Sequence, residues 1–247
     1  MVRLAVAGSC GKMGKRIVSL GLRDPEVSIV SALERKDIPE KGVDIGTLVD
    51  NEPAGVLVTD EIADACKDAD CMIDFTLPGP TLEHVSVCAS KGTAMVIGTT
   101  GFDADGEAKI REASNVIPIV FSPNMAIGVN VVFKILAEAS RVLGCDFSIK
   151  IDETHHVHKK DSPSGTAKML AEVVRSSSGV LPDIEAFREG EVIGRHGIVF
   201  DGEFEKIEIR HEAKTRDVFA AGALEAAKFI KGKTPGLYSM ADVLGLK

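Results

Sequence analysis

Half of this chain's six histidines fall in one short block, Glu153-Thr154-His155-His156-Val157-His158-Lys159-Lys160-Asp161-Ser162-Pro163-Ser164-Gly165-Thr166. An imidazole titrates near neutrality, so a histidine close to a lysine can give or take a proton at physiological pH. Three readings compete: a solvated polar loop, a metal site, and an acid–base site beside an anion pocket. Imidazoles suit zinc, but no cysteine lies nearby and the adjacent ammonium groups of Lys159 and Lys160 repel a dication, so no metal is expected. The acid–base reading is preferred. If the loop is locally helical, the four-residue spacing puts His155 and Lys159 on one face. Ser162 or Ser164 is a natural N-cap for the helix that follows, and Pro163 is tolerable near its first turn. The amides of Gly165 and Thr166 then point outward at a helix N-terminus, where a carboxylate binds readily. The block alone names no substrate.

Two elements must hold that block. Ser148-Ile149-Lys150-Ile151-Asp152 alternates polar and apolar, the period of a half-buried strand, while Leu170, Val173 and Val174 recur at helical spacing. The block is therefore a strand-to-loop-to-helix junction.

A second chemical stretch lies at the N-terminus. The apolar run Leu4-Ala5-Val6-Ala7 breaks into Gly8-Ser9-Cys10-Gly11-Lys12-Met13-Gly14, and a helical pattern with Ile17, Leu20 and Gly21 follows. Strand, glycine turn and helix form a dinucleotide-type junction, with pyrophosphate on the helix N-terminus. The spacing is Gly-x-x-Gly-x-x-Gly and not the usual Gly-x-Gly-x-x-Gly, so a tight turn with close helix packing is the competing reading. The next strand, Val27–Leu33, favours the nucleotide, because Glu34-Arg35-Lys36 follows it directly. Glu34 can accept hydrogen bonds from the ribose hydroxyls of NADH. Arg35 can pair with the 2′-phosphate of NADPH, which predicts a site that admits both cofactors.

Further strands are expected at Cys71–Phe75, Ala94–Ile97 and Ile117–Phe121. Ligands of open parallel sheets sit at the carboxyl ends of strands, which points to Phe75-Thr76, Gly98-Thr99-Thr100 and Ser122-Pro123-Asn124-Met125. Residues 37–60, rich in Gly, Pro and Asp, read as a surface excursion. The repeated strand and helix units predict an α/β fold with an N-terminal doubly wound (Rossmann-like) parallel sheet over residues 1–127. An apolar helix from Gly128 to Leu143 leads into a second, α+β unit on a mixed sheet, residues 128–217. In it Phe204–Arg210 alternates as an antiparallel strand with one wet face. The last segment, residues 218–247, is helical through Ile230 and stopped by Gly232 and Pro235.

Composition narrows the class. A chain of 247 residues is ample for one large domain or two modest ones. The net charge of −8 argues against a nucleic-acid binder. The five scattered cysteines, with no Cys-x-x-Cys, read as small buried hydrophobes in a reducing compartment. No leader precedes the first strand and no apolar window reaches membrane length, so a cytoplasmic protein is expected.

His-His-x-His-Lys followed by Pro-Ser-Gly-Thr-Ala resembles the substrate signature of the dihydrodipicolinate (4-hydroxy-tetrahydrodipicolinate) reductase family. The similarity extends over essentially the whole chain, through Val6-Ala7-Gly8 to Gly14, Ala32-Leu33-Glu34-Arg35, Ile73-Asp74-Phe75-Thr76, Val96 to Phe102 and Gly128-Val129-Asn130. The resemblance implies NADH- or NADPH-dependent reduction of a small cyclic dicarboxylate in diaminopimelate and lysine biosynthesis. It places the cofactor on Gly8, Ser9, Cys10, Gly11, Lys12, Met13, Glu34, Arg35, Gly98, Thr99, Thr100, Ser122, Pro123, Asn124 and Met125. It makes His155 and Lys159 the catalytic pair and puts His156, Gly165 and Thr166 on the substrate. The 128–217 domain becomes the substrate and oligomerisation domain of a homotetramer, with the C-terminal segment returning to the cofactor domain. One departure stands out. Between Arg188-Glu189-Gly190 and Ile207–His211 the chain is shorter than many relatives, leaving Gly194-Arg195-His196-Gly197 where an Arg-Gly-Gly and Gly-Glu-His segment is usual. A semialdehyde dehydrogenase, which needs a loop cysteine nucleophile, and a non-catalytic nucleotide-binding regulator are the rival classes.

Overall fold

The apolar run at the N-terminus forms β1 (Val2–Ala7), the strand around which a seven-stranded sheet is laid out. In the computed structural model, which describes residues 1–246, the chain divides into two compact units: Met1–Ala126 with Phe219–Gly245, and Ile127–Val218. After β1 the first unit holds α1 (Lys12–Arg23), β2 (Val27–Leu33), α2 (Ile45–Asp50), β3 (Val58–Thr59), α3 (Ile62–Lys67), β4 (Cys71–Asp74), α4 (Pro78–Lys91), β5 (Ala94–Ile97), α5 (Ala104–Ala113) and β6 (Pro118–Phe121). The second unit holds α6 (Ile127–Leu143), β7 (Ser148–His155), α7 (Gly165–Ser178), β8 (Asp183–Arg188), β9 (Gly194–Asp201) and β10 (Lys206–Ala213). The chain ends in α8 (Asp217–Ile230), β11 (Gly236–Tyr238) and α9 (Met240–Val243).

The large sheet runs β11-β6-β5-β4-β1-β2-β3, with every strand pair parallel. Such a sheet must be apolar on both faces, and β1 shows why its sequence suits that. Leu4 and Val6 pack with Ile17, Val18, Ala223 and Leu224 on one face; Ala5 and Ala7 pack with Met72, Val85, Cys88 and Ile110 on the other. Chain order reverses about β1, whose neighbours are β2 and β4. A crevice therefore opens beyond the carboxyl ends of β1 and β4, the position where doubly wound sheets bind ligands.

The smaller sheet, β10-β9-β7-β8, is mixed: β7 pairs parallel with β8 and antiparallel with β9. Its inner face buries Ile149, Ile151, Ile198 and Phe200 against Val132 and Leu136 of α6 and Leu170 and Val174 of α7.

Four sequence expectations need correction. Residues 37–60 are not a bare excursion: they contain α2 and the edge strand β3, with Ile45 fully buried. One side chain explains the order. Asp44 caps α2 and accepts from the amides of Gly46, Thr47, Ala54, Gly55 and Val56 at 2.7–3.3 Å. Two strands, β8 and β11, were not expected; β8 carries charged residues and β11 is only three residues long. The cysteines are mixed in setting, with Cys66, Cys71 and Cys88 buried, Cys10 half-buried and Cys145 exposed.

Candidate active site

The glycine turn sits at the carboxyl end of β1. Gly8 has φ +67°, the left-handed region that glycine enters without strain. A Cβ on Gly14 would lie 2.0 Å from the Gly8 carbonyl oxygen, so only glycine lets α1 approach the turn this closely. Helix α1 begins at Lys12 with no side-chain cap, and the first-turn amides of such a helix start suit a phosphate. The turn is itself braced: the Ser9 amide donates to the Leu33 carbonyl, and the Cys10 amide to Glu34 Oε2, at 3.1 and 3.0 Å. Glu34 Oε1 takes the Arg35 amide at 3.0 Å, while the Arg35 side chain is exposed.

A cleft of about 370 Å³ follows, lined by Gly8, Gly11, Leu33, Glu34, Arg35, Phe75, Thr76, Leu77, Pro80 and His84. It brings together the glycine turn, the acidic and basic pair after β2 and the loop after β4. These are the parts a nucleotide needs: amides for phosphate, a carboxylate for ribose hydroxyls and a guanidinium for a 2′-phosphate. The bare cradle at Gly8 and Gly14 fits that group.

The remaining residues assigned to the cofactor follow β5 and β6, on the same edge of the sheet. In the loop after β5, Gly98 is half-buried against the Phe75 ring, Thr99 is buried and Thr100 is exposed. Ser122 Oγ donates to the Asn124 carbonyl at 2.9 Å, and Asn124 Oδ1 takes the Ala126 amide at 2.9 Å. Met125 is buried, and only Pro123 of this loop is exposed.

Sequence reasoning missed the group that ties these loops together. Asp74, fully buried at the end of β4, accepts from the Thr76 amide, the hydroxyls of Thr76, Thr81 and Thr99, and His84 Nδ1 at 2.6–3.3 Å. Burial pushes this carboxyl up, but His84 and Thr76 outweigh burial and hold it below the usual range. The available signal was a charged residue closing an otherwise apolar strand.

In the second unit the histidine block divides three ways. His155 ends β7 and is buried, His156 is half-buried, and His158 is exposed. The loop is not helical. A turn is closed by the Lys159 amide on the His156 carbonyl, at 3.1 Å, and the Lys159 charge acts on His155. Ser164 is the cap of α7, its Oγ accepting from the Ala167 amide at 3.2 Å; Ser162 is not. Asp161 places its carboxylate 2.8 Å from Lys159 Nζ, and Lys159 with the nearby Gly165 backbone lowers its pKa against burial. The Asp161 carboxylate thus lies close to the helix end that includes Gly165.

Behind His155 lies a polar cluster that was not foreseen. Glu153 is fully buried; its Oε2 binds His155 Nδ1, and its Oε1 takes the Ser164 amide and Arg188 Nη1, both at 3.1 Å. Arg188 ends β8, beside His155 in register, and also donates to the Asp161 carbonyl. The His196 ring meets His155 edge-on at 5.2 Å, and burial pushes its pKa down to about 4. Burial, with Lys159 and Arg188, likewise lowers His155, against the opposing pull of Glu153. Glu153, His155 and His196 bring possible metal-ligand atoms within 4.8 Å of one another. Arg188 already neutralises Glu153 there, and Lys159 adds a second cation, so the electrostatics disfavour a dication.

Comparison with known proteins gives two family matches that together span nearly the whole chain. The family model described as dihydrodipicolinate reductase, N-terminus, matches residues 2–125, and the one described as dihydrodipicolinate reductase, C-terminus, matches residues 128–244. The 4-hydroxy-tetrahydrodipicolinate reductase of Anaeromyxobacter dehalogenans (strain 2CP-C) is 43% identical over 267 aligned positions, covering 100% of this chain and 99% of that protein. That of Dechloromonas aromatica (strain RCB) is 42% identical, with 99% and 98% covered. Both alignments are longer than this chain, so the relatives carry positions that it lacks. Among solved structures, a dipicolinate-bound dihydrodipicolinate reductase from Paenisporosarcina sp. TG-14 shares the fold, with a TM-score of 0.82 at 24% identity and 98% of both chains covered. An amine dehydrogenase from Mycobacterium smegmatis shares it more distantly, with a TM-score of 0.70 at 13% identity and 98% and 95% covered. With both halves matched and close relatives aligned end to end, this chain belongs to the dihydrodipicolinate reductase family.

Proposed function

We propose that this chain reduces dihydrodipicolinate, formed by loss of water from 4-hydroxy-tetrahydrodipicolinate, to tetrahydrodipicolinate in the route to diaminopimelate and lysine, with NADH or NADPH as reductant. The observation that carries the reading is the second unit's junction, where His155, Lys159 and the capped start of α7 lie together beside the Asp161 carboxylate. The nicotinamide, when bound, supplies the hydride. The amides of Gly8 to Met13 hold pyrophosphate, Glu34 the adenosine ribose and Arg35 a 2′-phosphate, while Gly98 to Thr100 and Ser122 to Met125 line the nicotinamide end. Gly165 and Thr166 receive one substrate carboxylate in place of Asp161, and His156 faces the other. Reduction of the unsaturated imine leaves electron density on the ring, and a proton must follow. Lys159 or His155 delivers it, and the positive charge of Lys159 also steadies the dianionic substrate.

We infer further that the enzyme works in the cytoplasm as a homotetramer assembled through the sheet of residues 128–217. Among the described residues no helix is long and apolar enough to cross a membrane. The test is NADPH and NADH oxidation by purified protein, with substrate generated in situ from pyruvate and aspartate semialdehyde by its synthase. Turnover that depends on the synthase supports the reading. Cofactor binding without turnover would refute it and favour the non-catalytic regulator or a different carbonyl substrate.

A further inference from the structure

The structure assigns Glu153 as a positioning residue, which selects the reacting nitrogen of His155 and ties that ring to the helix end that receives the carboxylate. This rests on the reading of His155 as an acid–base group. Glu153 and His155 are two residues apart on β7 and so share its inner face. An ionised carboxylate can only accept, so the hydrogen between Glu153 Oε2 and the ring belongs to His155 Nδ1. Nε2 is left as the atom that takes and gives protons. The neighbouring strand keeps that atom open: a Cβ on Gly194 would lie 3.1 Å from His155 Nε2, and glycine has none.

The second oxygen does the other half of the work. Glu153 Oε1 holds the amide of Ser164, the cap of α7, one residue before Gly165. It also holds Arg188, which reaches on to the Asp161 carbonyl. One buried carboxylate therefore links the ring, the cap of the anion-binding helix and the loop that carries Lys159. It governs charge as well. The groups around His155 are Glu153, Lys159, Asp161, Arg188, His196 and His211. Burial and the cations Lys159 and Arg188 favour the neutral ring, and the adjoining Glu153 carboxylate is what lets it take a second proton on Nε2.

The test compares full-length wild type with Glu153→Gln by nitrogen-15 NMR of the histidine rings across pH without substrate, by dipicolinate titration, and by kcat/KM against pH. In wild type His155 should be the Nδ1–H tautomer. In Glu153→Gln its protonation midpoint should fall by about one pH unit or more, the usual effect of removing an adjacent opposite charge. The matching limb of the kcat/KM profile should move the same way, with a loss of about 10- to 100-fold above it. Dipicolinate should bind several-fold more weakly. Should Arg188, left unpaired, prevent folding, Glu153→Gln combined with Arg188→Gln removes the orphaned charge; losing Arg188 offsets part of the midpoint shift, so the His155 tautomer and the dipicolinate affinity are the readouts there. An unchanged tautomer and midpoint, or an equal loss of activity at every pH, would overturn the proposal. A shifted midpoint together with full activity in His155→Ala supports the positioning role and sinks the acid–base reading instead.

Discussion

Replacing Asp74 by Asn tests whether one buried charge organises the cofactor edge of the large sheet. Asp74 Oδ1 accepts from the Thr76 amide at 2.9 Å and from the hydroxyls of Thr76, Thr81 and Thr99 at 2.7, 3.1 and 3.3 Å. Its Oδ2 faces His84 Nδ1 at 2.6 Å. Asn keeps an oxygen for the first four but makes them neutral, and it points an amide at His84. A hydrogen bond to a charged group contributes about 1.5–3 kcal/mol and a neutral one about 0.5–1.5, so each of the four loses about 1 kcal/mol. Relief from burying a charge returns part of that, leaving a net loss of about 2–4 kcal/mol. Against a typical total of about 5–15 kcal/mol the variant should still fold. Urea unfolding followed by circular dichroism reads the loss directly. The sign with pH is fixed by the direction of the shift. The folded-state pKa lies below the ordinary 3.8, so the stabilisation is fully present above that value and fades as pH falls through the folded pKa. The gap between wild type and variant should hold from neutrality to about pH 5 and shrink below about pH 4. Because Thr76 and Thr99 belong to the loops after β4 and β5, KM for the nicotinamide cofactor should rise several-fold with little change in kcat. A variant within 0.5 kcal/mol of wild type at pH 7, about the error of such a comparison, would refute the argument, as would a gap that survives acidification.

Four other outcomes are expected. Lys159→Ala should lose roughly 3 kcal/mol of transition-state stabilisation, about a hundredfold in kcat/KM, and a variant within a few-fold of wild type would remove Lys159 from catalysis. Arg35→Ala should raise KM for NADPH about tenfold, the worth of one charge-assisted contact, and leave NADH nearly unchanged, whereas Glu34→Gln should weaken NADH more; steady-state kinetics with both cofactors separates the two. Gly14→Ala sets a Cβ 2.0 Å from the Gly8 carbonyl oxygen and should abolish NADH binding in a fluorescence titration; retained affinity would show that α1 can retreat. Asp161→Asn removes the carboxylate that pairs with Lys159 near the start of α7, so dipicolinate should bind a few-fold more tightly by calorimetry, and weaker binding would contradict the displacement.

Short-range pattern was enough to read much of this molecule. The apolar run of β1, the glycine turn and Glu34-Arg35 are local signals, since strand burial, tight turns and charge after a strand depend on neighbours in sequence. The strand before His155 and the capped helix after Gly165 are local for the same reason. The polar side chains that hold the sites were less legible. Asp74 closes an apolar strand and Glu153 lies in an alternating one, and in both the sequence shows a charge but not its partners. Those partners arrive from Thr99 and His84 in one case and from Arg188 and Ser164 in the other, through chain separations that no periodicity encodes. Arg188 itself lay on β8, whose charged residues hid a strand that exists because β7 offers it a parallel edge. Likewise β11 is three residues long and is ordered by pairing with β6, not by its own propensity. The sequence by itself determined the fold class and marked the glycine turn and the histidine block as candidate sites. Tertiary structure alone decided which nitrogen of His155 is tied down and which carboxylates are buried, because a buried charge is stable only where distant segments bring its partners to it.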